Sequence, residues 1–156
     1  MKKQFLACIC LAAAAAMLLA ACAGTPERKL NVRTDTAPVQ ALLPGIDIQE
    51  CVWVDANSRA PLPAPDMYCM GVIALSPQQM LDMTSAFDWS RPEPDSLRIE
   101  EDHAYLAMEY YGATARSLQA LLACSVFTEQ NTPEFYYNDF YLAEAEGLLL
   151  FEIVTI

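Results

Sequence analysis

Histidine is almost missing from this chain: His103 is the only one in 156 residues. A triad hydrolase would need that one imidazole buried beside a nucleophile. The sequence has no G-x-S-x-G turn, no His-x-x-x-His pair and no Gly-rich phosphate loop. Because His103 follows Glu100, Glu101 and Asp102, it is expected at the surface or its boundary, with its proton favoured by those neighbours. Positive charge is also scarce, with 9 Lys and Arg against 20 Asp and Glu. Phosphate backbones repel such a chain, which excludes nucleic acid as a partner. No C-x-x-C pair occurs, so Cys51, Cys69, Cys124 and His103 lack the spacing that nucleates a zinc site. The acidic stretch "EPDSLRIEED" lacks the regular ligand spacing of a calcium loop. No metal and no cofactor is expected. Carboxylate pairs of the glycosidase kind are guaranteed by 20 acids and so carry no signal.

What is present begins with an uncharged run from Phe5 to Ala23. Its length alone would allow a membrane span, and its flanks decide otherwise. Lys2 and Lys3 form a basic start, Phe5 to Leu18 an apolar centre, and Leu19-Ala20-Ala21 a small-residue approach to a cut. Leu19-Ala20-Ala21-Cys22 resembles the lipobox of bacterial lipoproteins. The resemblance implies a diacylglyceryl group on the Cys22 thiol and cleavage before that residue, with residues 1–21 removed as a signal peptide. It further implies an extracytoplasmic protein on the cell surface or the periplasmic face, held by two acyl chains, enough for stable attachment. Ala23 stands where lipoproteins retained in an inner membrane carry aspartate. Loss of Lys2 and Lys3 leaves seven basic residues against all 20 acids, a formal charge of −13. The lipid, not electrostatic attraction, then holds the protein at the membrane.

Residues 22–45, with Pro26, Pro38 and Pro44 and no clear periodicity, read as a flexible tether. One globular domain is expected over 46–156. "IQECVWV" and "MYCMGVIAL" read as strands, the second apolar on both alternating faces and therefore covered on both sides. "SPQQMLDMTSAF" carries a capping box, Ser76 with Gln79, and Pro77 at the first helical position, which predicts a helix. A second helix is expected over Ala115 to Phe127, capped by Thr114 or Ser117. Residues 100–111 fit a strand or a helix. "FYYNDFYL" and "LLLFEIVTI", joined through Gly147, predict a C-terminal hairpin. The class is α+β: an antiparallel sheet with about two helices packed on one face.

Between the first two strands, Pro61, Pro63 and Pro65 impose an extended connection. Arg59, these prolines, Tyr68, Gly71 and Leu75, followed by the Ser-Pro helix and Phe87-Asp88-Trp89, look like a pattern in small uncharacterised bacterial exported proteins. That resemblance implies no activity. Arg59, Tyr68 and Trp89 are the candidate ligand contacts, against a stiff connection in which Arg59 pairs with a carboxylate. Tyr136, Tyr137, Phe140 and Tyr141 suit sugar or peptide stacking in one reading and core packing in the other, which the alternation of a hairpin favours. Cys51 and Cys69, on strands joined by a short connection, are candidates for a disulfide, whereas Cys124 is expected as a thiol at the core edge. Two function classes remain: a non-catalytic binding or interaction lipoprotein, and a hydrolase of envelope or extracellular polymers.

Overall fold

A computed structural model describes residues 30–55, 67–93, 97, 99–130 and 137–155, with backbone alone at Met67, Tyr137 and Thr155. The chain divides into two compact units, 1–30 and 31–156, and the described structure lies almost wholly in the second.

That unit is built on a five-stranded antiparallel sheet in the order β1-β2-β3-β5-β4. The strands are β1 (Val32–Arg33), β2 (Glu50–Asp55), β3 (Met67–Ala74), β4 (Tyr137–Ala143) and β5 (Leu148–Thr155). The helices are α1 (Thr36–Leu42), α2 (Pro77–Ala86), α3 (Glu101–Tyr111), α4 (Ala115–Leu118) and α5 (Ser125–Gln130). This is the expected α+β class.

β3 is central because every described side chain along it is apolar or a buried tyrosine, so either face can be covered. Gly71 faces Trp53 on β2 and Phe151 on β5 in register. A Cβ there would lie 2.7 Å from the Phe151 ring and from the Trp53 Cβ and 2.5 Å from the Val52 carbonyl, so the missing side chain makes room for these two large residues. The hairpin forms as expected. Gly147 takes φ +68°, a conformation other residues resist, and its carbonyl accepts from Leu75 N–H at 2.8 Å. In α2, Ser76 Oγ accepts from Gln79 N–H at 3.2 Å and Gln79 Oε1 accepts from Ser76 N–H at 2.9 Å. Gln79 Nε2 then donates to the Asp47 carbonyl at 2.6 Å, tying the helix start to the chain entering β2.

Two expectations change and two open readings are resolved. Residues 31–45 belong to the fold, not to a tether: Val39 and Leu43 of the α1 segment are buried, and Trp53 Nε1 donates to the Asp35 carbonyl at 3.0 Å. Pro38 sits in the first turn of α1 and Pro44 just past its end, positions where proline costs no helical hydrogen bond. Residues 100–111 resolve to a helix, α3. The helix expected over 115–127 is instead two short ones, because Leu122 and Ala123 between them are drawn into β-bridges with Leu142 and Ser90. Leu142 N–H donates to Leu122 O at 2.8 Å and Ala123 N–H to Ser90 O at 2.8 Å, bonds that a continuous helix would forfeit. Thr114 and Ser117 both serve the start of α4, as reciprocal members of one capping box.

The helices are divided between the two sheet faces instead of sharing one. On the first face, Cys51, Trp53, Ile73, Leu149, Phe151 and Phe140 join residues of α1 and α5 in the main apolar core, with α2 packed at its margin. Phe127 is the hub of this side, its ring centre 5.1 Å from Phe87, 5.0 Å from Trp89 and 5.4 Å from Phe140. On the second face lie Val52, Val54, Met70, Val72 and Leu150, all buried, and α3 brings Leu106 and Ala107 onto the sheet.

Candidate functional site

The second face differs from the first in burying ionisable groups. β5 reads as an apolar strand interrupted by Glu152, and the register sets that residue directly between Met70 on β3 and Asp139 on β4. Tyr68, two residues before Met70, reaches diagonally across, and its hydroxyl donates to Glu152 Oε1 at 2.6 Å. Burial, more than any neighbour, pushes the Glu152 carboxyl above its ordinary range; Asp139 and Glu100 add to the rise and the Tyr68 hydroxyl opposes it. Tyr141 OH lies 3.5 Å from Asp139 Oδ2, close to the limit of a hydrogen bond.

The first turn of α3 places His103 over the same region. Only 1% exposed, its Nε2 is 2.8 Å from the Phe151 carbonyl of β5. A carbonyl only accepts, so this nitrogen carries the hydrogen and donates. Burial holds the imidazole below its ordinary pKa, outweighing the Phe151 bond and the negative charges of Glu100, Asp102 and Asp139. His103 is therefore neutral near pH 7, and its Nδ1 is a bare lone pair without a hydrogen-bond partner among the described residues. The expectation of a charged surface histidine is thus reversed: the helical turn carries Glu101 outward and His103 inward, where desolvation outweighs its acidic sequence neighbours.

Chemically, the cluster joins four elements through one carboxyl held toward its neutral form, a tyrosine donor and a neutral imidazole. The His103 bond ties α3 to β5, and the Tyr68–Glu152 bond ties β3 to β5. Two shallow depressions, each about 340 Å³, are present, and one of them reaches the margin of the cluster at Asp139 and Tyr141. One, beside β4, is lined in part by Cys124, Ser125, Glu129, Asp139 and Tyr141. The other, between α2 and α5, is lined by Met83, Phe87 and Phe127 among others. Neither contains His103 or Glu152. Among the described residues no group of His, Cys, Asp and Glu is arranged to hold a metal ion, and no helix is long and apolar enough to cross a membrane.

The candidate ligand contacts do not converge. Arg59 and the lipidation residue Cys22 lie outside the described residues. Tyr68 is buried on the second face, whereas Trp89 packs against the first-face core with its Nε1 donating to the Met83 carbonyl at 3.1 Å. Phe140 and Tyr141 are both buried, on opposite faces, so this pair packs the core instead of forming a binding platform. Cys51 and Cys69 are free thiols. Cys51 stands opposite Ile73, four residues along β3 from Cys69, about 13 Å away at strand rise and beyond the reach of a disulfide. Burial pushes their thiols up to about 11 and about 12 respectively, so both are protonated and inert at neutral pH. Cys124 is a buried thiol, as expected. The acid in β5 is the residue that pattern reading passed over, though a lone Glu in "LLLFEIVTI" is itself a signal, since a carboxyl in a doubly covered strand needs a donor.

Comparison with protein-family models, with curated proteins and with solved structures yields no match.

Proposed function

We propose that the chain is an extracytoplasmic lipoprotein, fixed to a bacterial membrane by a diacylglyceryl group on Cys22, whose folded unit serves as a non-catalytic binding or interaction module. The observation that carries the anchor is Leu19-Ala20-Ala21-Cys22 closing an uncharged run behind Lys2 and Lys3. The non-catalytic reading is supported by the fate of His103, whose Nε2 is committed to a backbone carbonyl beneath a helix. A general base must reach the proton it takes. Mass spectrometry of protein extracted from membranes tests the anchor: the expected N-terminus is Cys22 bearing the acyl mass, and Cys22→Ala leaves a longer, unlipidated precursor. Wild-type protein beginning at Met1 or Lys2 without lipid overturns it. For the module, a soluble form starting at Ala23 should retain specific partners from the native envelope; turnover of an envelope polymer that is lost in His103→Ala while the fold is kept would replace this reading with a hydrolase.

A further inference from the structure

Helix α2 is well capped but poorly covered. None of its ten residues is buried, and Met80, Met83 and the following Phe87 meet the first-face core only part-way. Asp82, Met83, Ala86 and Phe87 form one wall of the depression between α2 and α5, and the buried Ile46 and Phe127 also line it. Leu81 and Val126, each next in sequence to a lining residue, are 59% and 50% exposed. Single exposed apolar residues are ordinary, whereas two beside one apolar groove extend it into a patch of the kind that marks an interaction surface. Its volume of about 340 Å³ suits a few apolar side chains.

The form of an occupant follows from the backbone around the groove. Two of its sides are helices. On the third, the Ile46 and Asp47 carbonyls accept from the Gln40 and Gln79 side chains, and Ile48 N–H donates to Gln40 Oε1. An incoming chain therefore meets no strand edge to pair with and must satisfy its own N–H and C=O groups, as a helix does. Its charge follows from the rim. Residues 45–48, 76–88 and α5 carry Asp47, Asp82, Asp88 and Glu129 and no Lys, Arg or His. Arg91, the first basic residue after α2, is not part of the lining.

We infer that the α2–α5 groove is the interaction surface of the module proposed above, and that its occupant is an amphipathic helix of another protein. That helix carries an apolar stripe spaced for one face, set into the groove over Met83, Phe87 and Phe127, with Lys or Arg beside the stripe to meet the acidic rim. A second copy of this acidic chain brings like charge to the rim, and so does an anionic lipid surface. The inference rests on the binding-module reading.

Calorimetric titration tests it with the chain from Ala23 onward, since the whole of the main core lies within residues 31–156. The probe is a synthetic helix of Leu, Ala and Lys with Leu on one face. The controls are a scrambled peptide of the same composition and a counterpart with Glu in place of Lys. The one-faced basic helix should bind several-fold more tightly than either control. Ala86→Arg sets a bulky cation in the groove and Asp82→Asn removes charge from its wall; both positions are exposed, and each change should weaken binding several-fold. Equal binding of the scrambled peptide, or affinity unchanged by Ala86→Arg, overturns the groove. Equal binding of the Glu peptide, or affinity unchanged by Asp82→Asn, overturns the basic character of the occupant. Self-association that Ala86→Arg abolishes, or capture by phosphatidylglycerol vesicles that the same change abolishes, replaces the partner helix with a second copy or a membrane. Envelope partners retained equally by wild type and Ala86→Arg overturn the groove while the module stands; the His103→Ala turnover assay decides the module reading separately.

Discussion

The two faces of one sheet are covered in opposite ways. On the first, Trp53 and Phe151 close over the space left by Gly71, and Phe140 and Phe127 pack edge to face in the same apolar core. On the second, the buried residues are valines, Met70 and Leu150 but also Glu152 and Tyr68, with His103 supplied by α3. Apolar packing is non-directional and tolerates many arrangements. A buried carboxyl and imidazole instead accept only partners at the right place, and so position the helix that supplies them. The first face is accordingly expected to supply most of the stability and the second to set where α3 sits.

Breaking the first face should have the largest effect. Phe151→Ala removes a fully buried ring, and a loss of about 3–5 kcal/mol is expected in urea unfolding. Gly71→Ala places a Cβ against the Val52 carbonyl, the Phe151 ring and the Trp53 Cβ; overpacking of this kind costs about 1–3 kcal/mol, and more here if the backbone contact cannot relax.

On the second face, His103→Leu should cost about 1–3 kcal/mol at pH 7 by orphaning the Phe151 carbonyl. Its pH dependence tells more. The folded-state pKa of His103 lies below the ordinary 6.5, so its contribution is fully present above that pH and is lost as the pH falls toward the folded value. Wild type should therefore lose stability as the pH falls below about 6.5 more steeply than His103→Leu, measured as the midpoint of thermal unfolding.

Glu152 acts with the opposite sign. Its folded pKa is raised above 4.5, so its contribution is complete below that pH and is lost as the pH rises through the folded value. Glu152→Gln, which keeps an acceptor for Tyr68 OH, should stabilise the protein at pH 7 by up to about 1 kcal/mol and leave it unchanged near pH 4. Tyr68→Phe, removing the donor, should cost about 1–2 kcal/mol at pH 7. The smallest effect should come from reductant: with Cys51 and Cys69 apart as thiols, dithiothreitol should leave the unfolding midpoint where it is, and alkylation of both should require denaturant.

Legibility followed the range of the forces involved. α2 was readable because Ser76, Pro77 and Gln79 cap it through bonds three residues long. The hairpin and β3 were readable because alternation and a turn glycine are local. In α3 the buried positions are Asp102, His103, Leu106 and Ala107, while Tyr105, Met108 and Tyr110 face outward. Its apolar residues therefore do not trace the inward face, and periodicity left strand and helix undivided. The break between α4 and α5 was invisible because the bridges causing it run to Leu142 and Ser90, distant in sequence.

The sequence by itself determined the α+β class, the hairpin, the capped helix and the acidic character of the chain, each set by residue type and short-range spacing. The tertiary structure alone decided that residues 31–45 join the fold, that Cys51 and Cys69 stand four positions apart, and that His103 is neutral. Those outcomes depend on strand register and on which side of a helix meets the sheet. Register and docking are set by the summed packing of residues far apart in the chain, and no local pattern encodes that sum.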